Sequence, residues 1–305
     1  MKNWRPISLL NTDYKILTKC LSHRIQDVLP SIINSDQTGY IKGRYIGENI
    51  RTISDLIDFT SLRNMPGIVL LIDFEKAFDT IRWSFLFKSL KYFNFGDGFI
   101  HWIETIYNNI ESVVTNNGHV SDKFALSRGI RQGCPISPYL FIIAAEIMSI
   151  SIRQNTEISG IMVGNTEIKL SQLADDTTLF VSNLNSVKSS LDMLRNFYMI
   201  SGLQLNLDKT IAMGIGSLKG FRPENALGLT WTDGPITTLG VTISSDPDIV
   251  HDTCFTPCLN NATNVLNIWK QRNLSLKGKI TILKSLIIPK FLYPASMCLL
   301  QPHFY

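Results

Sequence analysis

SQLADDTTLF, residues 171–180, places two adjacent aspartates, Asp175 and Asp176, between apolar residues that alternate with polar ones. Alternation with a period of two is typical of a half-buried strand, and a polar pair between two such runs is typical of a tight turn. The alternating apolar positions are Ile168, Leu170, Leu179 and Val181. The stretch therefore predicts a strand, a turn that carries both aspartates, and a second strand.

A third aspartate lies at the end of another predicted strand. Residues 68–72 read IVLLI, a run typical of a fully buried strand, and Asp73 follows directly. Neighbouring strand residues face opposite sides of a sheet, but at a turn two neighbours can lean toward one site. We therefore expect Asp73, Asp175 and Asp176 to meet at one end of a sheet.

Three such carboxylates suit hard divalent cations. Mg²⁺ prefers oxygen ligands and takes few of them from protein. Two ions about 3.5–4 Å apart can activate an attacking hydroxyl and stabilise a leaving oxygen, which is the requirement of nucleotidyl transfer. Clustered carboxylates repel one another unless cations offset their charge. A second interpretation stays open, because an Asp-Asp pair is also common in solvated surface turns.

Length and composition predict an intracellular protein with a sizeable core. The 305 residues are 45% hydrophobic, enough for one large domain or two to three subdomains. The apolar run Tyr139–Ile152 is too short to cross a bilayer and contains Glu146, so we expect no membrane partner. The first residues carry no apolar leader, and nucleus and cytoplasm both remain open.

The five cysteines favour a reducing compartment, because they are odd in number and scattered. His251, Cys254 and Cys258 could supply three zinc ligands, but the sequence offers no convincing fourth. Partly buried free thiols are the preferred interpretation.

Charge is distributed unevenly along the chain. Residues 1–51 carry eight Lys and Arg against four Asp and Glu, and residues 253–305 carry six against none. Residues 52–252 carry fifteen against twenty-one, a net of −6. Basic flanks around an acidic centre suit a protein that contacts phosphate at both ends and cations in the middle, although a solvated surface could give the same distribution.

Strand patterns interleave with helical ones, which predicts an α+β fold on an antiparallel sheet. Residues 205–207 indicate another short strand, and Gly202 is predicted to end the helix before it. A subdomain boundary is expected near residue 244, with a mostly helical, basic segment over 259–293. Helical spacing of apolar residues is found in 12–29, 50–57, 83–93, 99–110, 139–152 and 187–197.

Six segments resemble, in order, the motifs of reverse transcriptases from LINE-type (non-LTR) retrotransposons. The two finger motifs come first, followed by motifs A, B, C and D of that family. The segments are NWRPISLL (3–10), DQTGYI (36–41), LIDFEKAFD (71–79), RGIRQGCPISP (128–138), LADD (173–176) and GLQLNLDKT (202–210).

The resemblance implies a right-hand polymerase architecture, with an antiparallel palm sheet, packed helices and a helical thumb portion. Residues 1–243 would form the reverse transcriptase domain of fingers and palm, and 244–305 a truncated thumb-like segment. The implied activity is RNA-directed DNA polymerisation with two Mg²⁺ ions, or Mn²⁺ in their place. The implied partners are an RNA template, a DNA primer and dNTPs. The family's upstream endonuclease and longer downstream region are expected to be missing.

Matching positions carry over catalytic roles. Asp73, Asp175 and Asp176 would bind the metal ions, and Phe74 would add a backbone oxygen. Lys209 would protonate departing pyrophosphate, although a solvated lysine is an equal alternative.

Other matching positions would bind the nucleotide. Phe78 would exclude a ribose 2′-hydroxyl, with core packing as its alternative. Gln132 and Gly133 would line the pocket, and Arg5 and Arg44 would hold the triphosphate, since guanidinium forms bidentate contacts with phosphate.

The C-terminal segment would hold the template–primer. Residues 239–241 resemble the primer grip, and a basic helical tail would contact the phosphate backbone without reading sequence. Arg131 is a template or phosphate contact or an ordinary surface residue. The tail cations are Lys270, Arg272, Lys277 and Lys279.

Two further functions remain open. One is a catalytically inactive element fragment that retains nucleic-acid binding. The other is an RNA-templated RNA polymerase, against which Phe78 argues.

Overall fold

The computed structural model of the chain describes residues 7–223, 227–244 and 247–297. Helices and short strands alternate along it, and a π-helical turn, Leu283–Ile287, joins the last two helices. The helices are α1 (Thr12–Gln26), α2 (Leu29–Ile32), α3 (Ile46–Arg63), α4 (Ala77–Thr80), α5 (Trp83–Tyr92), α6 (Asp97–Tyr107), α7 (Ser137–Gln154), α8 (Leu184–Ser201), α9 (Pro247–Cys254), α10 (Thr256–Lys270), α11 (Leu276–Ile282) and α12 (Ile288–Met297).

Thirteen strands are assigned within the described residues, and most of them are short. They are β1 (Pro66–Ile72), β2 (Glu111–Ser112), β3 (Thr115–Asn116), β4 (His119–Val120), β5 (Phe124–Ala125), β6 (Ile161–Val163), β7 (Thr166–Ile168), β8 (Leu170–Leu173), β9 (Asp176–Val181), β10 (Ile211–Gly216), β11 (Thr230–Thr232), β12 (Ile236–Thr238) and β13 (Val241–Ile243).

The central sheet has five strands in the order β11-β10-β1-β9-β8. Only β10 and β11 pair in parallel, and the other neighbours are antiparallel. Strand β1 lies in the middle, and its residues Ile68, Val69 and Leu70 are fully buried. A strand covered on both faces reads as a continuous apolar run, as residues 68–72 do. The predicted α+β fold on a mostly antiparallel sheet is confirmed.

Two apolar cores cover the two faces of this sheet. Side chains alternate along β1, so that Ile68 and Leu70 join the first core and Val69 joins the second. The first core includes residues of α5, α7 and α8, and the second includes residues of α3, β12, β13 and α9. Helix α7 is buried over much of its surface, which explains why its apolar run is nearly continuous.

Several local predictions are confirmed. Residues 170–181 form a hairpin, and α8 ends at Gly202, whose φ of 84° is left-handed. Two predictions are wrong. Residues 205–207 form no strand, because only Leu205 pairs, in an isolated bridge with Phe74, and a turn follows. The predicted helix over 12–29 ends at Gln26, and a second helix, α2, begins at Leu29. Pro30 lies in the first turn of α2, where a residue needs no N–H for a hydrogen bond within the helix.

The segment from residue 247 to 297 is mostly helical. Its α9 joins the second core, and its last helix forms two further contacts with the rest of the fold. The Tyr293 hydroxyl donates to the Leu239 carbonyl in the β12–β13 turn. The hydroxyls of Tyr45 and Ser296 lie 3.4 Å apart, which joins α12 to the start of α3. Among the described helices, none combines the length and hydropathy that a membrane crossing needs.

Candidate active site

The acidic pair lies at the tip of the β8–β9 hairpin. Leu173 pairs with Asp176, so Ala174 and Asp175 form a two-residue loop. Ala174 has a φ of +57°, a conformation that a two-residue hairpin loop with type II′ geometry requires at its first position. Asp175 is half-buried and Asp176 is exposed. The local fold therefore presents both carboxylates at the end of the sheet.

Strand register brings Asp73 to the same end. The last β1–β9 pair is Ile72 with Thr177. Asp73 directly follows Ile72 and Asp176 directly precedes Thr177, so both aspartates lie just beyond this last pair. The two strands that the sequence marked as carriers of the three carboxylates are therefore direct neighbours.

Asp73 is held in place by the segment that follows α8. Its Oδ2 accepts a hydrogen bond of 2.8 Å from the Asn206 side-chain amide, and its carbonyl accepts one of 2.9 Å from the Asn206 N–H. Its own N–H donates to the Thr210 hydroxyl at 3.4 Å. Thr210 is fully buried and also bonds to the Asn206 carbonyl. This segment thus fixes both the backbone and the carboxylate of Asp73.

The three aspartates fit a hard divalent cation in donor type, since all offer carboxylate oxygens. They also fit by position, because the strand register places them at one end of the sheet. Within the described ranges, no three His, Cys, Asp or Glu side chains already converge as a metal-binding group, so rotation of these side chains would have to complete the coordination. The residues of the zinc alternative also form no such group among the described residues. Cys254 is buried, and the Cys258 thiol donates to the Cys254 carbonyl.

The loop that resembles motif B pairs with the segment after Asp73. The N–H groups of Gly129 and Ile130 donate to the carbonyls of Ile81 and Phe78, at 2.7 and 2.6 Å. Gly129 has a φ of +90°, and a Cβ there would lie 2.8 Å from the Asp79 carbonyl oxygen. Only glycine permits this close approach. The loop is thereby fixed against α4, beside Phe78.

Phe78 packs face to face on Phe141 of α7, with ring centroids 4.2 Å apart and an interplanar angle of 15°. It is only partly buried. The contact gives the ring a packing role and a fixed orientation, and its predicted gating role stays a prediction.

Gln132 and Gly133 lie beside the first described residues. The Gln132 side-chain amide donates to an Asp79 carboxylate oxygen at 3.4 Å. The Gln132 main-chain carbonyl accepts from the Ser8 N–H at 2.9 Å. Gly133 is exposed, and a Cβ there would lie 3.0 Å from the Ser8 carbonyl oxygen. Close backbone approach therefore explains the glycine here, and its predicted contact with a nucleotide remains a prediction.

The predicted arginines differ in setting. Arg44 donates to the carbonyls of Ile33, Asn34 and Gln37, so its guanidinium closes the loop between α2 and α3. Arg131 lies over the Tyr14 ring, 4.8 Å from its centroid. Arg5 lies outside the described residues. Two of the three guanidinium nitrogens of Arg44, Nη1 and Nη2, therefore already bond to the backbone, and its predicted contact with triphosphate stays a prediction.

The remaining predicted cations are exposed. Lys209 projects from the turn after Asn206, to whose carbonyl its N–H donates at 3.3 Å. Arg272 lies over the Trp269 ring, 5.4 Å from its centroid. The other exposed cations of the C-terminal helices are Lys270, Lys277 and Lys279.

Sequence reasoning missed three residues that hold the site. Asn206 and Thr210 bond to Asp73, and Gln37 bonds to the hairpin tip at Ala174. All three lie within segments that resemble family motifs, but the sequence contains no signal for these pairings across more than 130 residues.

The chain belongs to the reverse transcriptase (RNA-dependent DNA polymerase) family, which it matches over residues 1–243. The predicted resemblance to reverse transcriptases of non-LTR retrotransposons is confirmed. Members of this family generally use divalent metal ions.

Two relatives come from transposable elements. The chain is 31% identical over 298 residues to the uncharacterized 149 kDa protein of transposon TX1 from Xenopus laevis, covering 96% of this chain and 23% of that protein. It is 29% identical over 217 residues to the Pol polyprotein of retrotransposable element R2DM from Drosophila melanogaster, covering 70% and 20%. The chain thus spans about a fifth of the length of these relatives.

A solved structure shares the fold. The telomerase of Candida tropicalis, solved with a fragment of telomeric RNA, aligns with a TM-score of 0.52 over 83% of this chain and 42% of its own. Identity is 14%, so the likeness concerns the fold alone. The right-hand polymerase architecture implied by the motifs is confirmed.

Proposed function

We propose that this chain is the core of an RNA-directed DNA polymerase, which extends a DNA primer with dNTPs on an RNA template. The observation that carries the proposal is the β1–β9 pairing, whose last pair, Ile72 with Thr177, leaves Asp73 and Asp176 at the same end of the sheet, in a chain of the reverse transcriptase family. Asp73, Asp175 and Asp176 would hold two Mg²⁺ ions, or Mn²⁺ in their place. When bound, these ions would activate the primer 3′-hydroxyl and stabilise the leaving oxygen.

The chain's own residues would orient the nucleotide. The Phe74 carbonyl adds an oxygen beside Asp73, and the Phe78 ring, which also packs on Phe141, excludes a ribose 2′-hydroxyl. The Gln132 amide and the Gly133 backbone would contact sugar and base.

Cations would neutralise the phosphates. Arg5 and Arg44 would contact the triphosphate, and Lys209 would give a proton to departing pyrophosphate. We also propose the division into fingers and palm over 1–243 and a thumb-like segment over 244–305, with an intracellular location. The exposed cations of that segment, Lys270, Arg272, Lys277 and Lys279, would contact the template–primer backbone.

Primer extension on an RNA template with Mg²⁺ tests the proposal. The variant Asp175→Asn, Asp176→Asn should lose extension. The matched control, Asp122→Asn, removes an exposed carboxylate from the loop before β5 and should keep it. Wild-type protein that extends nothing, or a double variant as active as wild type, contradicts the proposal. Salt-dependent RNA binding without synthesis would instead support the inactive, nucleic-acid-binding fragment.

A further inference from the structure

A buried glutamine holds the tip of the β8–β9 hairpin. Gln37 is 1% exposed, and its Oε1 accepts hydrogen bonds of 2.8 Å from the N–H groups of Ala174 and Gly39. Its Nε2 donates to the Ala174 carbonyl at 3.2 Å. One side-chain amide therefore binds both polar groups of Ala174, the residue directly before Asp175.

The segment around Gln37 extends the sheet beside β8. Gln37 forms a parallel bridge with Gln172. The Gln172 N–H donates to the Asp36 carbonyl, and the Thr38 N–H donates to the Gln172 carbonyl, both at 2.8 Å. The contact is close, because a Cβ on Gly39 would lie 2.5 Å from the Ala174 nitrogen. The finger segment thus lies directly against the strand that leads to the tip.

Ala174 needs such support. Its φ of +57° is unfavourable for a residue with a Cβ, and strained backbone of this kind persists only where surrounding contacts over-determine it. The two hydrogen bonds to Ala174 supply that constraint immediately before the acidic pair.

We infer that Gln37 is a positioning residue, which holds the hairpin tip so that Asp175 and Asp176 keep the geometry that metal ions require. This inference rests on the proposed function for its consequence in catalysis. Partners that orient metal ligands typically contribute 10- to 100-fold in metal affinity or activity. Gln37 acts through the backbone of Ala174 and contacts no reacting group.

The variant Gln37→Met tests the inference, because it keeps the side-chain length and removes all three hydrogen bonds. Hydrogen exchange by NMR should be roughly tenfold faster at the amides of Ala174 and Gly39, the effect of losing one hydrogen bond. Binding of Mn²⁺ alone, measured by electron paramagnetic resonance, should weaken roughly tenfold or more. Ser190→Ala is the matched control, since Ser190 is fully buried in α8 and bonds within that helix.

The control should leave Mn²⁺ binding and exchange at Ala174 unchanged. Equal weakening of Mn²⁺ binding in both variants, or wild-type Mn²⁺ binding in Gln37→Met, overturns the inference. Should Gln37→Met not fold, Gln37→Asn keeps the amide without adding charge, and its side chain, shorter by one methylene, cannot reach both polar groups of Ala174. Its Mn²⁺ affinity should fall below wild type, and an unchanged affinity overturns the inference.

The two proposals fail separately. Wild-type protein that makes no product, yet binds Mn²⁺ through a tip that depends on Gln37, contradicts the polymerase proposal and supports the positioning role. Wild-type protein that extends primers, but whose Mn²⁺ affinity does not change in Gln37→Met, supports the polymerase proposal and contradicts the positioning role.

Discussion

The side-chain amide of Asn206 donates to a carboxylate oxygen of Asp73 at 2.8 Å, across 133 residues of sequence. The main-chain N–H of Asn206 donates to the Asp73 carbonyl as well, and its own carbonyl accepts from the N–H of Lys209. One residue therefore links a candidate metal ligand to the candidate proton donor for pyrophosphate.

The variant Asn206→Asp should lower primer extension by roughly 10- to 100-fold, because the aspartate removes the donor that orients Asp73 and repels its carboxylate. Steady-state extension measures the effect. Asn117→Asp makes the same chemical change in the exposed turn between β3 and β4 and should behave as wild type. If both variants lose the same activity, charge alone explains the loss and the positioning role of Asn206 is wrong.

Phe78→Ala should admit ribonucleotides and also destabilise the fold. Truncation removes the stack on Phe141 and should cost about 2 kcal/mol in the free energy of unfolding. It also opens the space that a 2′-hydroxyl would occupy, so the ratio of kcat/KM for dNTP over NTP should fall. Incorporation assays and urea unfolding separate the two effects.

The matched control for Phe78 changes its partner. Phe141→Leu loses the same aromatic stack and leaves Phe78 in place, so it should lower stability without changing the dNTP preference. A preference that falls equally in both variants would show that the stack, and not the Phe78 ring itself, sets selectivity.

The hairpin and the buried central strand were predictable because their information is local. Alternation around Asp175 and Asp176 predicts two strands and a turn, and the run over 68–72 predicts a strand covered on both faces. The family motifs, which are short contiguous segments, then identified the three aspartates as candidate metal ligands.

The supports of the site were not predictable in the same way. Asn206 and Gln37 each form two hydrogen bonds to one residue of a distant segment, and such pairings have no periodicity in the sequence. The alternation over residues 205–207 predicts a strand, but only Leu205 pairs, in one bridge with Phe74. Local alternation cannot distinguish a ladder from a single bridge.

Stability should fall as pH rises from about 4.5 to about 7, because of Glu146. Burial is the main cause that raises the pKa of this carboxyl from its usual 4.5 to about 7; the Arg153 guanidinium partly opposes it, and the nearby Asp36 adds to it. Between these two pH values the folded state binds more protons than the unfolded chain, so rising pH favours unfolding. The slope from this one group is at most about 1.4 kcal/mol per pH unit.

Urea unfolding from pH 5 to pH 8 measures this dependence. Relative to Glu146→Gln, which cannot ionise, wild-type protein should lose stability across that range. Glu157→Gln neutralises an exposed carboxylate and should follow the wild-type profile. Parallel profiles for wild type and Glu146→Gln would contradict the assignment of the titration to Glu146.

The double variant Lys277→Ala, Lys279→Ala should weaken binding to an RNA–DNA template–primer and reduce its salt dependence. Both side chains are exposed on α11, so their truncation should leave stability nearly unchanged. Each lost phosphate contact should lower the slope of log Kd against log salt by about 0.9.

The control variant Lys91→Ala, Lys188→Ala makes an equal charge change at exposed positions on α5 and α8 and should keep the wild-type slope. Because phosphates carry no base identity, the loss should be the same for unrelated template sequences. A loss confined to one template sequence, or an equal loss in the control, would rule out backbone contact by α11.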